Sequence, residues 1–151
     1  MPFPLPPPMR LALDLAAEAA RAGEVPVGAV VTRAGQVVAT SANAMRTSHD
    51  PTAHAEMLAI RRAAAALQAE RLGDCDLWVT LEPCAMCAGA IAHARIGRLY
   101  YAAADPKGGA VIHGPRLFGQ PTCHHRPEIY GGIGEGEAAS LLRAFFATRR
   151  R

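Results

Sequence analysis

Two short clusters of metal-binding side chains, each placed where a chain break gives way to a helix, restrict this sequence more than any other feature. His54-Ala55-Glu56 follows the break at Asp50-Pro51-Thr52 and sits at the head of the Ala-rich run Ala53–Glu70. Pro83-Cys84-Ala85-Met86-Cys87 follows the apolar run Asp76–Leu81 and opens a second helical run that reaches Ala94. Asp and Thr suit a helix cap. Proline suits a first helical turn, where its missing N–H costs nothing. In an open α/β sheet, ligands collect at the C-terminal ends of the strands, where helices begin. Two helix starts of this kind can therefore converge on one point.

The rest of the chain supplies the matching sheet. Met1–Pro8 holds five prolines and reads as an extended tail, leaving residues 9–151 as one domain. Met9–Ala22 has the spacing of an amphipathic helix, stopped by Gly23. Val25–Val31 and Gln36–Thr40 flank Ala34-Gly35 as a hairpin. Asp76–Leu81 and Gly97–Ala103 read as strands, and Glu128–Gly131 as a short last one. Glu137–Arg150 reads as a final helix with a basic end, and the Gly/Pro/His-rich stretch Ala104–Pro127 as a long functional loop. The expected fold class is α/β: a three-layer α/β/α sandwich around a central mixed five-stranded sheet. Its later strands are expected to be parallel because each crossover carries a helix.

Composition removes several alternatives. Of the 151 residues, 50% are hydrophobic and 19% charged, which excludes a wholly disordered chain. No apolar run reaches a membrane span, and the start lacks a signal-peptide pattern, so a cytoplasmic location without membrane attachment is expected. The cysteines are Cys75, Cys84, Cys87 and Cys123. In a reducing compartment a close pair reads as metal-binding or redox-active and not as a structural disulfide. The net charge of +3 permits a polyanionic partner without requiring one.

Cys84 and Cys87 are three residues apart and share a helix face. A first helical turn favours thiolate, and thiolates bind zinc. With His54 they make a three-ligand set, which leaves a fourth position open for water, the arrangement of catalytic zinc. Zinc lowers the pKa of that water, and Glu56, at the same helix start, can take its proton and return it to a ring nitrogen and a leaving amine. A redox Cys-x-x-Cys is a competing reading. A structural zinc module is another, opposed by Glu56 and by the count of three ligands. Glu82, just before Pro83, fits a supporting hydrogen bond better than catalysis.

His-x-Glu followed by Pro-Cys-x-x-Cys is the pattern of zinc nucleobase deaminases. Further segments extend the match: Gly23–Val30, Asp50–Glu56, Thr80–Ala90, Ala94-Arg95-Ile96, Asp105–Ala110 and Leu141–Phe146. On these the chain, from Met9 to Arg150, resembles the bacterial tRNA-specific adenosine deaminases of the cytidine/deoxycytidylate deaminase superfamily. The resemblance implies a cytidine-deaminase-like fold, one zinc ion per subunit of a homodimer, and hydrolysis of the wobble adenosine of a tRNA anticodon stem-loop to inosine with release of ammonia. By position it makes His54, Cys84 and Cys87 the zinc ligands and Glu56 the proton shuttle. Asn43 corresponds to an asparagine that hydrogen-bonds the flipped nucleoside, although a turn residue after a strand would look the same. Ala55 and Leu81 are implied to line the base pocket, and Pro26 and Val27 its apolar floor. Lys107, Phe145 and Arg149 resemble anticodon-loop contacts, with core packing the alternative for Phe145. His124, where many relatives carry asparagine, is expected to stack on or bond an anticodon base. The rival reading is a free-base or nucleoside deaminase for cytosine, guanine or a similar small substrate. The basic end Arg149-Arg150-Arg151 and the long loop speak against it.

Overall fold

The computed structural model describes residues 4–149. In chain order these form α1 (Pro7–Arg21), β1 (Gly28–Arg33), β2 (Gln36–Ala42), α2 (Ala55–Leu67), β3 (Cys75–Leu81), α3 (Ala85–Ala94), β4 (Arg98–Ala103), β5 (Glu128–Tyr130) and α4 (Glu135–Ala147). The strands make one sheet in the order β2-β1-β3-β4-β5. β1 pairs antiparallel with β2 and β3, whereas β4 is parallel to both β3 and β5. This is the mixed five-stranded sheet of the expected sandwich.

Strand periodicity sorts the core into two layers. Ala29, Val31, Leu77, Val79, Leu99 and Tyr101 meet Ala55, Ala59 and Ala63 of α2 and Ala88 and Ile91 of α3. The intervening Val30, Trp78 and Ala102 meet Met9 and Leu13 of α1 and Ala138 of α4. Both faces are covered, so the central strands read as nearly continuous apolar runs. Alanine on α2 keeps that helix close to the sheet. Gly28 does the same for α1, because a Cβ there would fall 2.0 Å from the Ala12 carbonyl oxygen.

Several boundaries move for identifiable reasons. α1 begins at Pro7, inside the proline stretch, with proline in its first turn. β1 begins at Gly28 rather than Val25, since Pro26 has no amide to give to a ladder. The hairpin turn is as expected: Ala34 and Gly35 have φ of 51° and 79°, the two positive values a tight hairpin requires. The β4–β5 crossover is the expected long loop, with one 3₁₀ turn at Leu117–Gly119, so the expectation that each crossover carries a helix fails here. Its prolines and glycines forbid a regular helix, yet the parallel pairing is kept. Arg150, the expected end of the last helix, lies outside the described residues. No helix among the described residues is long and apolar enough to cross a membrane.

Register places the chemistry at one edge of the sheet. Gly28 pairs with Ala42, Ala29 with Val79, and Leu81 with Ala103. The Gly28 amide also donates to Thr80 Oγ1 at 3.1 Å. The segments that leave this edge lead directly into α2, α3 and the long loop.

Candidate active site

His54 is the N-cap of α2 and Cys84 the N-cap of α3, both in extended backbone conformation. His54 Nδ1 lies 3.6 Å from Cys84 Sγ and 3.5 Å from Cys87 Sγ. Tetrahedral zinc with ordinary Zn–S and Zn–N bonds separates nitrogen from sulfur by roughly 3.6 Å. The donor set and its spacing therefore fit zinc. Among the described residues, no other group of three His, Cys, Asp or Glu side chains is gathered this closely.

The two thiols behave unequally. Cys84 is held down at about 5, chiefly by the hydrogen bond from Cys87; burial opposes this, while the first-turn amides and His54 support it. Cys87, fully buried, is pushed up, first by the hydrogen bond it gives to Cys84 and then by its burial. One thiolate therefore stands ready, and metal binding must expel the remaining thiol proton. Glu56 is buried in the first turn of α2. Burial pushes its carboxyl up to about 7, with the charge at Cys84 adding to the shift and that at His54 opposing it. A carboxyl near neutrality can both accept and give a proton.

Asn43 follows β2 and is 9% exposed. Its Oδ1 accepts from the Ala55 N–H at 3.1 Å, and its own N–H donates to the Val27 carbonyl at 3.0 Å. The side-chain oxygen is thus committed to the start of α2, which leaves the amide NH2 as the group Asn43 can offer a ligand. Ala55, Pro26 and Val27 are buried around this point, and Leu81 is half-buried at the end of β3.

Two buried carboxylates hold the loops of the site: Glu82, in the supporting role its place before Pro83 suggests, and Glu24, to which the sequence assigns no role. Glu82 accepts from the amides of Asp105 (2.9 Å), Val111 (3.1 Å), Ile112 (3.0 Å) and His113 (3.2 Å), and meets His113 Nδ1 at 2.8 Å. Gly109 is obligatory beneath it, because a Cβ there would lie 2.4 Å from the Glu82 carboxyl carbon. Glu24 accepts from the Arg46 and Thr47 amides and from the Thr47 hydroxyl. The available signal was a carboxylate inside an otherwise apolar run, which has to find partners when buried.

Burial works against ionised Glu82, but the amides of Asp105, Ile112 and Val111 and the His113 ring outweigh it and lower its pKa. A depressed carboxyl stabilises the fold above its unfolded value, and that contribution is lost as pH falls through the folded value. Stability is therefore expected to decline on acidification below about pH 4.3, the unfolded glutamate value. Glu82→Gln should be less stable at neutral pH and show a shallower acid decline in thermal melts across that range.

The other expected contacts separate. Lys107 is exposed in the loop that Glu82 holds, where Asp105 Oδ1 accepts from the Lys107 and Gly108 amides. Phe145 is buried, and its ring carries the Arg149 guanidinium at 3.7 Å. His124 is exposed and lines a cavity of about 220 Å³ with His93, Arg95 and Leu117 beside the C-terminal half of α3; no metal-cluster residue lines it. Its neighbours are internally occupied: Cys123 Sγ donates to the His125 carbonyl, and His125 Nε2 to that of Ile96.

Comparison with known proteins agrees with this geometry. Residues 7–134 match the family of MafB19-like deaminases. Over 142 residues the chain is 56% identical to a tRNA-specific adenosine deaminase of Agrobacterium fabrum, covering 94% of this chain and 93% of that protein. It is similar, with a TM-score of 0.88 and 56% identity, to a structure from work on A-to-I editing by tRNA:A34 deaminases at the wobble position of transfer RNA; the match covers 89% of this chain and 98% of that one. A guanine deaminase from Nitrosomonas europaea shares the fold at 25% identity and a TM-score of 0.76, over 93% of this chain and 83% of that one.

Proposed function

The chain belongs to the MafB19-like deaminases and to the tRNA-specific adenosine deaminases, and from that premise we propose that it converts the wobble adenosine of a tRNA anticodon to inosine. Water is consumed and ammonia released. The observation that carries the chemistry is the triad of His54, Cys84 and Cys87 with buried Glu56 beside it. The substrate class is supported by the relatives that share most of the chain.

His54 Nδ1, Cys84 Sγ and Cys87 Sγ would hold one zinc ion per subunit of a homodimer. Such an ion would supply Lewis acidity that lowers the pKa of water towards neutrality. Glu56 moves the protons: its carboxyl takes one from the attacking water, delivers it to purine N1, and passes a second to the 6-amino group as that group leaves. The Asn43 NH2 orients the purine edge, Pro26 and Val27 pack beneath it, and Ala55 and Leu81 bound the pocket. Lys107 and Arg149 face the phosphate chain, His124 meets an anticodon base, and Phe145 contributes through the Arg149 it supports.

An anticodon stem-loop with wobble adenosine is expected to gain inosine, while free adenosine, cytosine and guanine stay unchanged. Nucleoside analysis of the digested RNA reads this directly. Turnover of guanine or cytosine without inosine in the RNA would replace the tRNA reading with that of a free-base deaminase, the activity named for the Nitrosomonas neighbour.

A further inference from the structure

Gly23, between α1 and β1, has φ of 85°, and two guanidinium groups converge on the space beside it. A Cβ placed there would lie 3.9 Å from Arg46 Nη1 and 3.9 Å from Arg149 Nη2. The two cations are thus within about 8 Å of each other, no more than the Debye length at physiological ionic strength, so salt leaves much of their repulsion in place.

Both are fixed by the fold. The Arg46 amide donates to Glu24 Oε1 at 3.1 Å, and its Nη1 donates to the Gly23 carbonyl at 3.1 Å. Arg149 lies over the Phe145 ring and donates through Nη1 to Thr148 Oγ1 at 2.9 Å. Neither forms an ion pair among the described residues. Glu24 lies near Arg46, but its oxygens are occupied by the Arg46 and Thr47 donors. Arg46, Thr47 and His49 line an open notch of about 560 Å³ here. Arg149 does not itself line the notch but reaches Gly23, which does; two fixed cations meeting at Gly23, with the nearby carboxylate already committed, are best satisfied by a bridging anion. The forked guanidinium suits phosphate oxygens.

We propose that Arg46 and Arg149 together seat a single backbone phosphate of the RNA, close to the nucleotide whose base enters the active site. This rests on the RNA reading above. Arg46 is three residues beyond Asn43, so the intervening chain spans at most roughly 10 Å. The segment is tied down by the Asn43 amide on Val27 and the Ala44 amide on the Ala53 carbonyl. The notch is therefore held in fixed relation to the residue that would orient the base.

The test is the salt dependence of stem-loop binding by Arg46→Ala, Arg149→Ala and the double variant. Because one phosphate is shared, the double variant should lower the salt slope by about 0.7, the value for one phosphate, and each single variant by no more than that, since the other arginine still faces it. Arg46→Lys, which keeps the charge and guards against a folding defect, should keep the slope with reduced affinity. A double variant that loses about 1.4 would mean two separate phosphates and overturn the shared seat. Unchanged slopes in variants of a wild type that binds and edits RNA would remove the notch alone. A wild type with no salt-dependent RNA binding would instead remove the tRNA reading. Inorganic phosphate at matched ionic strength should compete no better than chloride; selective competition that vanishes in Arg46→Ala would reassign the notch to free phosphate.

Discussion

Cys87→Ala is expected to lose bound zinc and deamination together. The side chain is fully buried against the His54 ring nitrogen at 3.5 Å and supplies one of three donors. Alanine offers no donor, and among the described residues no fourth His, Cys, Asp or Glu joins this group to replace it. The remaining pair, His54 and Cys84, would bind zinc far more weakly, because a catalytic site has only three protein ligands to begin with. Metal analysis of the purified variant should therefore give near none, and inosine formation on the stem-loop should fall to background. Cys123→Ser is the matched control. Cys123 is half-buried, bonds the His125 carbonyl and lies outside the triad, so its loss should leave zinc content unchanged. A Cys87→Ala protein that kept a full zinc complement would remove Cys87 from the ligand set.

What could be read in the sequence, and what could not, follows from the range of the interactions. The gathering of His54, Cys84 and Cys87 was legible because each stands at a helix start, and helix starts follow breaks such as Asp50-Pro51 and Pro83 that are visible locally. The strands were legible for a similar reason: Val30 and Val31, or Leu77, Trp78 and Val79, give apolar runs whichever face they serve. A supporting hydrogen bond for Glu82 was legible from its place before Pro83, but its partners were not. Its partners lie 23 to 31 residues away and are mostly backbone amides, which every sequence has everywhere. Glu24 is hidden in the same way, more than 20 residues from Arg46 and Thr47. The β4–β5 crossover shows the converse error. Parallel pairing was inferred from helical crossovers, but parallel strands need only a long enough connection, and Ala104–Pro127 provides one without a helix. Phe145 was open between core and RNA because periodicity gives the face of a helix and not what packs upon it; burial under Arg149 decides its environment.

Glu56→Gln should separate catalysis from stability in opposite directions. The variant keeps the shape of the side chain and all three ligand atoms, so zinc content should match wild type. Turnover on the stem-loop should nevertheless fall by about 10² or more, the scale of a positioned proton-transfer group. Loss of zinc with the substitution would make Glu56 a ligand, and normal turnover would take it out of the chemistry. Stability supplies an independent readout. Burial raises the Glu56 pKa in the folded chain to about 7. A raised carboxyl favours folding below the unfolded value and loses that advantage as pH rises through the interval up to the folded value. At neutral pH and in the presence of chelator, wild type therefore carries the cost of a buried group that the unfolded chain ionises freely. Glutamine has no such charge, so metal-free Glu56→Gln should melt above metal-free wild type at pH 7. The difference should shrink towards about pH 4, where the unfolded carboxyl is itself largely protonated. A site that retains Glu56 against its own stability is spending that stability on proton transfer. A variant that lost turnover and also melted lower at pH 7 would instead assign Glu56 to holding α2 in place.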